Sequence, residues 1–123
     1  MGGVIALPQV LKIQYDPDDP AFAFSLPPNS TYIGRPNWRY QLDGIWGNPF
    51  TLERDGSRER VVWLYVSWFP ISLIQRLDEI KGRDLFCWCK PLLCHGDFLI
   101  EAANEESVSE VIRRWLGKGV PAR

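Results

Sequence analysis

The chain predicts a small α/β domain: a short, partly parallel sheet flanked by three to four helices. Three observations carry this. Short apolar or alternating runs read as strands. Apolar residues at helical spacing follow them. The order, strands leading into helices, favours parallel pairing with helical crossovers.

The elements follow in chain order. Residues 10–15 alternate roughly in twos and predict a first strand, which the Asp/Pro run at 16–20 stops. Residues 21–26 read as an edge strand or packed loop, and Pro27, Pro28 and Asn29 break the chain again. Residues 31–33 read as a second strand ended by Gly34, Arg35 and Pro36, and 37–53 as a loop rich in Gly, Asn and aromatics. A helix is expected over 57–69, capped by Asp55 or Ser57, with Val61, Val62, Tyr65, Trp68 and Phe69 on one face. Pro70 ends it or opens the next helix, in which Ile71, Ile74, Leu77 and Ile80 recur and which Gly82 caps. Residues 84–89 read as a buried strand. A third helix starts near His95 to Asp97 and runs towards Asn104. Ser107 and Glu110 form a capping box for a C-terminal helix over about 108–117, closed by Gly117 and Gly119. Trp63 and Trp115 are the expected exposed tryptophans, and Arg58, Arg60, Arg113 and Arg114 read as solvated faces.

Length and composition narrow the function classes. The 123 residues suit one domain, 1–123, and 46% hydrophobic residues exclude disorder. A net charge of −1 argues against nonspecific nucleic-acid binding. No apolar run approaches the roughly 20 residues a membrane helix needs, and the N-terminal residues do not read as a secretory signal. The three cysteines and the single histidine fall within nine residues, Cys87, Cys89, Cys94 and His95. An odd count packed so tightly is no disulfide framework, so a reduced, cytoplasmic setting is expected.

The candidate site follows from where these residues fall. In parallel sheets, ligands bind beyond the carboxyl ends of strands. Gly34-Arg35 and the segment from Lys90 to Asp97 both sit at such ends, and Gly47-Asn48 can fold over the same edge. One reading is a polar pocket for a nucleotide-like or phosphorylated small molecule. Arg35 takes the anion, with Gly34, Gly47, Asn48 and Gly96 as ligand-binding positions. Cys94, His95 and Asp97 then supply ligand contacts or acid–base chemistry, the Cys94 thiolate being favoured by a helix start. A second reading makes Cys87, Cys89, Cys94 and His95 a zinc set, although C-x-C-x4-C-H is not the usual pair of separated knuckles. The domain would then be a stapled module that binds a protein partner, without catalysis; exposed apolar surface near Trp38 and Trp46 would support such a partner. The plain alternative is packing: cysteine is among the most buried residue types, and Asp97 suits a helix cap.

Tyr32 to Pro36 (YIGRP), Gly47 to Phe50 (GNPF) and Cys87 to Asp97 (CWCKPLLCHGD) together resemble the domain-of-unknown-function family numbered 4326, met in bacteriophages and bacteria. The resemblance covers about 31–104. It implies that the three motifs belong together in one pocket, and a host-cytoplasmic setting if the protein is phage-encoded. No activity or substrate comes with it.

Overall fold

In the computed structural model, which describes residues 7–13, 26–37, 42–117 and 119, three short strands form one parallel sheet. They are β1 (Val10–Lys12), β2 (Ser30–Tyr32) and β3 (Asp84–Cys87), in the order β1-β3-β2. β3 is central: Val10 pairs with Leu85 and Lys12 with Cys87 on one side, Ser30 with Asp84 and Tyr32 with Phe86 on the other. All three carboxyl ends therefore lie along one edge of the sheet. The ladder continues one residue past the edge strands, where the Ile13 and Ile33 amides donate to the Cys87 and Phe86 carbonyls, both at 2.9 Å.

The helices are α1 (Leu52–Asp55), α2 (Arg58–Trp68), α3 (Ile71–Ile74), α4 (His95–Asn104) and α5 (Val108–Leu116), with a 3₁₀ turn at Leu77–Glu79. α4 packs on β1 and β3, and α2, α4 and α5 pack on one another. Their shared core holds Ile33, Tyr65, Leu85, Phe98, Leu99 and Val111, all fully buried. Gly96 lets α4 start close to the sheet: a Cβ there would stand 2.6 Å from Ile33 Cδ1 and 2.8 Å from Val10 Cγ1.

Several local expectations change under tertiary packing. The stretch read as a loop over 37–53 contains the start of α1, whose cap is Thr51 accepting from the Arg54 amide at 3.3 Å. On α2, Val66 takes the buried place expected of Trp68, which is 40% exposed and meets Phe50 edge-on at 6.3 Å. The helix expected from Ile71 to Ile80 divides into α3 and the 3₁₀ turn, with Pro70 as the cap of α3. Ile71 is left 70% exposed, while Leu77 and Ile80 are buried together. Their spacing of three suits 3₁₀ geometry, where positions i and i+3 eclipse. Gly82 adopts the left-handed conformation expected of a cap, φ 74°.

At α5, Ser107 accepts from the Glu110 amide at 3.2 Å, but the Glu110 carboxylate pairs with Arg113 instead of completing a box. Trp63 and Trp115 are half-buried against each other, ring centroids 4.8 Å apart, and the Trp63 indole donates to the Trp115 carbonyl at 2.8 Å. Residues 14–25, with the end of the first expected strand and the expected edge strand, and Trp38 lie outside the described residues. Trp46 is 3% exposed and stacks on Phe69, so it offers no apolar surface to a partner. Among the described residues, no helix is long and apolar enough to cross a membrane.

Candidate functional site

Because β2 and β3 are parallel neighbours, the chain leaves both at the same edge. A cavity of about 610 Å³ opens there, lined from β2 by Tyr32, Gly34 and Arg35, and from β3 onward by Cys87, Trp88, Cys89, Cys94 and His95. The loop after Gly47 contributes Asn48 and Phe50, and the start of α2 contributes Arg58. Gly96 and Asp97 stand outside this lining.

The β2 wall is a closed set of hydrogen bonds. Arg35 donates from Nε to the Asn48 carbonyl at 3.0 Å and from Nη2 to the Phe50 carbonyl at 2.7 Å. Asn48 is buried; its Nδ2 donates to the Val61 carbonyl at 3.0 Å and its Oδ1 accepts from the Phe50 amide at 2.9 Å. Both side chains expected to meet a ligand are thereby engaged with backbone, and they hold the 47–50 loop between β2 and α2. Gly34 and Gly47 are needed where these segments cross: a Cβ on Gly47 would lie 2.8 Å from the Gly34 carbonyl oxygen, and one on Gly34 would lie 2.4 Å from the Tyr32 hydroxyl. That hydroxyl donates to the Arg35 carbonyl at 2.5 Å and accepts from the Trp88 indole at 2.9 Å, which joins this wall to the opposite one.

The β3 wall is built differently. Cys94 is the N-cap of α4 in extended conformation, φ −140° and ψ 150°, and its sulfur accepts from the Gly96 amide at 3.3 Å. Asp97 completes a capping box by accepting from the Cys94 amide at 3.0 Å, and its other oxygen pairs with Lys90. The candidate catalytic carboxylate is therefore occupied as a cap and does not line the cavity. The buried Cys87 and Cys94 sulfurs are 3.1 Å apart, and the sulfurs of Cys87, Cys89 and Cys94 all lie within 4.8 Å of one another.

His95 is buried, and burial pushes its pKa below the ordinary imidazole value. Its Nε2 lies 2.6 Å from the Ile33 carbonyl oxygen, which can only accept, so Nε2 carries the proton. Nδ1 is then the acceptor, 3.7 Å from the Cys94 sulfur. Adjacent residues inside a helix diverge by about 100°. The extended cap conformation of Cys94 overcomes that divergence and brings thiol and imidazole together.

The three thiols are unequal. Hydrogen bonds with Cys87 and then Cys89 push the Cys94 thiol up, and its hydrogen bond with Cys89 pushes Cys87 up. Cys89 is pulled down by its hydrogen bonds with Cys87 and Cys94, with smaller help from His95 and the Arg58 guanidinium. The neighbouring thiols therefore act in opposite directions within the cluster, down at the half-buried Cys89 and up at the helix-start Cys94. Arg58, expected on a solvated face, is half-buried and lines the cavity instead. It is the first residue of α2, and helical side chains lean towards the N-terminus, which brings its guanidinium back to the cavity. Nothing in the local sequence distinguishes it from Arg60.

Fold and site together define a small α/β domain with a thiol-lined cavity at the carboxyl edge of a parallel sheet. The chain belongs to the family described as a domain of unknown function, DUF4326, whose model matches residues 22–105 and so includes all three motifs. It is similar to an uncharacterized protein, R718, of Acanthamoeba polyphaga mimivirus, 34% identical over 83 residues that cover 57% of this chain and 63% of the relative. It is also similar to an uncharacterized 12.4 kDa protein of the nrdA-td intergenic region in Enterobacteria phage T4, 32% identical over 66 residues, 49% of this chain and 60% of that one. The chain thus spans less than two thirds of either relative's length. No solved structure matches it significantly.

Proposed function

We propose that this domain binds a small phosphorylated, nucleotide-like molecule in the cavity at the sheet edge, with Arg58 as the anion contact. The observation that carries the reading is the cavity itself, about 610 Å³ at the carboxyl ends of β2 and β3. That size lies within the roughly 300–1,000 Å³ typical of small-molecule sites, and the position is where parallel sheets bind ligands. Among the described residues Arg58 makes no ion pair with a carboxylate, and it lines the cavity together with Cys89. Arg35 supports the loop, where its Nε and one Nη2 hydrogen are engaged with backbone carbonyls. Trp88 supplies an aromatic wall suited to a planar ring.

Calorimetric titration with adenosine and guanosine 5′-monophosphates and with ribose 5-phosphate tests this. Saturable binding of at least one probe, lost in Arg58→Ala, is the expected result. Absence of binding by all three, or binding unchanged in Arg58→Ala, overturns it.

A further inference from the structure

The thiol cluster has geometry that core packing alone does not require. Three sulfurs from two separate places, the end of β3 and the cap of α4, converge within 4.8 Å of one another, with Cys87 and Cys94 at 3.1 Å. Zinc–thiolate bonds of about 2.3 Å in a tetrahedron place sulfurs about 3.8 Å apart, which falls inside that spacing. Three sulfurs this close surround one ion; they are too near one another to clasp a multinuclear iron–sulfur cluster.

The Gly96 amide donates to the Cys94 sulfur at 3.3 Å, and Arg58 lines the same cavity as the three cysteines. Such a donor disperses the charge of a coordinated thiolate, and outer partners of this kind accompany metal sites.

His95 does not join the converging set. The three sulfurs form the group whose donor atoms lie mutually within 4.8 Å, whereas His95 is close to Cys94 alone and holds the Ile33 carbonyl through Nε2. All three cysteines line the cavity.

From this convergence we propose that Cys87, Cys89 and Cys94 bind one zinc ion as thiolates, and that its fourth position opens into the cavity. This differs from a closed Cys3His staple. Structural zinc sites fill all four positions from the protein, while sites with three protein ligands leave one for an exchangeable molecule. Three thiolates on a divalent ion leave one net negative charge. The proposal goes beyond the phosphorylated-ligand reading and does not depend on it.

The test uses the metal alone. Protein purified without chelator is expected to carry about one zinc per chain by mass spectrometry. After removal of that metal, cobalt(II) should give thiolate-to-metal charge-transfer absorption and the visible bands of a tetrahedral ion, and added imidazole should shift those bands. His95→Gln should leave the charge-transfer intensity intact, and Cys89→Ser should weaken cobalt affinity at least ~100-fold. If Cys89→Ser fails to fold, the wild-type cobalt titration with and without imidazole decides alone. Cobalt bands that are insensitive to imidazole and altered in His95→Gln would overturn the open site in favour of a closed Cys3His one. Protein free of zinc that gives no cobalt charge transfer would overturn metal binding altogether. Neither result bears on the phosphate-probe titration, so the two readings fail separately.

Discussion

The two walls of the cavity face each other across a few ångströms and are built on opposite principles. On the β2 side, Arg35 and Asn48 end in hydrogen bonds to backbone, and Gly34 and Gly47 fit where no Cβ has room. On the β3 side, the cysteine sulfurs interact with one another, with the Gly96 amide and with the His95 imidazole. Both walls carry a polar motif at a strand end. One motif determines where the chain goes; the other gathers reactive groups at one point. Position at a strand end therefore identifies a site without assigning a task to each residue in it.

Substitutions on each wall should separate the two roles. Asn48→Ala removes bonds to both Val61 and Phe50 from a buried position and leaves a void, at a cost of about 3 kcal/mol in urea unfolding at fixed metal content. A loss under ~1 kcal/mol would mean the loop holds itself, and the contrast between the walls would collapse. Gly47→Ala drives a methyl towards the Gly34 carbonyl and should cost about 2 kcal/mol in the same assay, because backbone rather than a side-chain tip must yield.

Asp97→Ala removes the partner of the Cys94 amide and of Lys90, and should cost about 1 kcal/mol, the usual worth of a cap. It should leave binding of a phosphorylated probe within twofold of wild type, since Asp97 stands outside the cavity lining. Loss of binding at unchanged stability would instead make Asp97 a ligand contact. The smallest stability effect belongs to Arg58→Ala, under ~0.5 kcal/mol for a residue at the rim of the cavity. Its effect should appear in affinity, a loss of roughly 10-fold or more, as expected when a charge-assisted hydrogen bond is removed. Circular dichroism melts beside the calorimetric titration would show whether the two quantities part in this way.

Much of the architecture can be read from local signals. Ser57 before the Val61 repeat announces α2, Gly82 announces a left-handed turn, and the apolar run before Cys87 announces the central strand. These succeed because caps, left-handed glycines and buried strands are decided within a few residues of chain. The break between Ile74 and Leu77 was not readable, because apolar spacing of three fits an α-helix and a 3₁₀ turn alike. Nor was the exposure of Trp68, which depends on where Phe50 and Val66 lie.

For the site, the sequence by itself determined that three cysteines and the single histidine fall within nine residues, between a buried strand and the start of a helix, and that Gly34-Arg35 follows another strand. Only the tertiary structure decided that β2 and β3 are parallel neighbours and so bring those ends to one cavity. It also turned Arg35 and Asn48 towards backbone and brought Arg58 into the cavity lining. The physical reason is one of range. Residue type and spacing fix what a segment can do locally, whereas a hydrogen bond between Asn48 and Val61 or between Tyr32 and Trp88 exists only once distant segments pack.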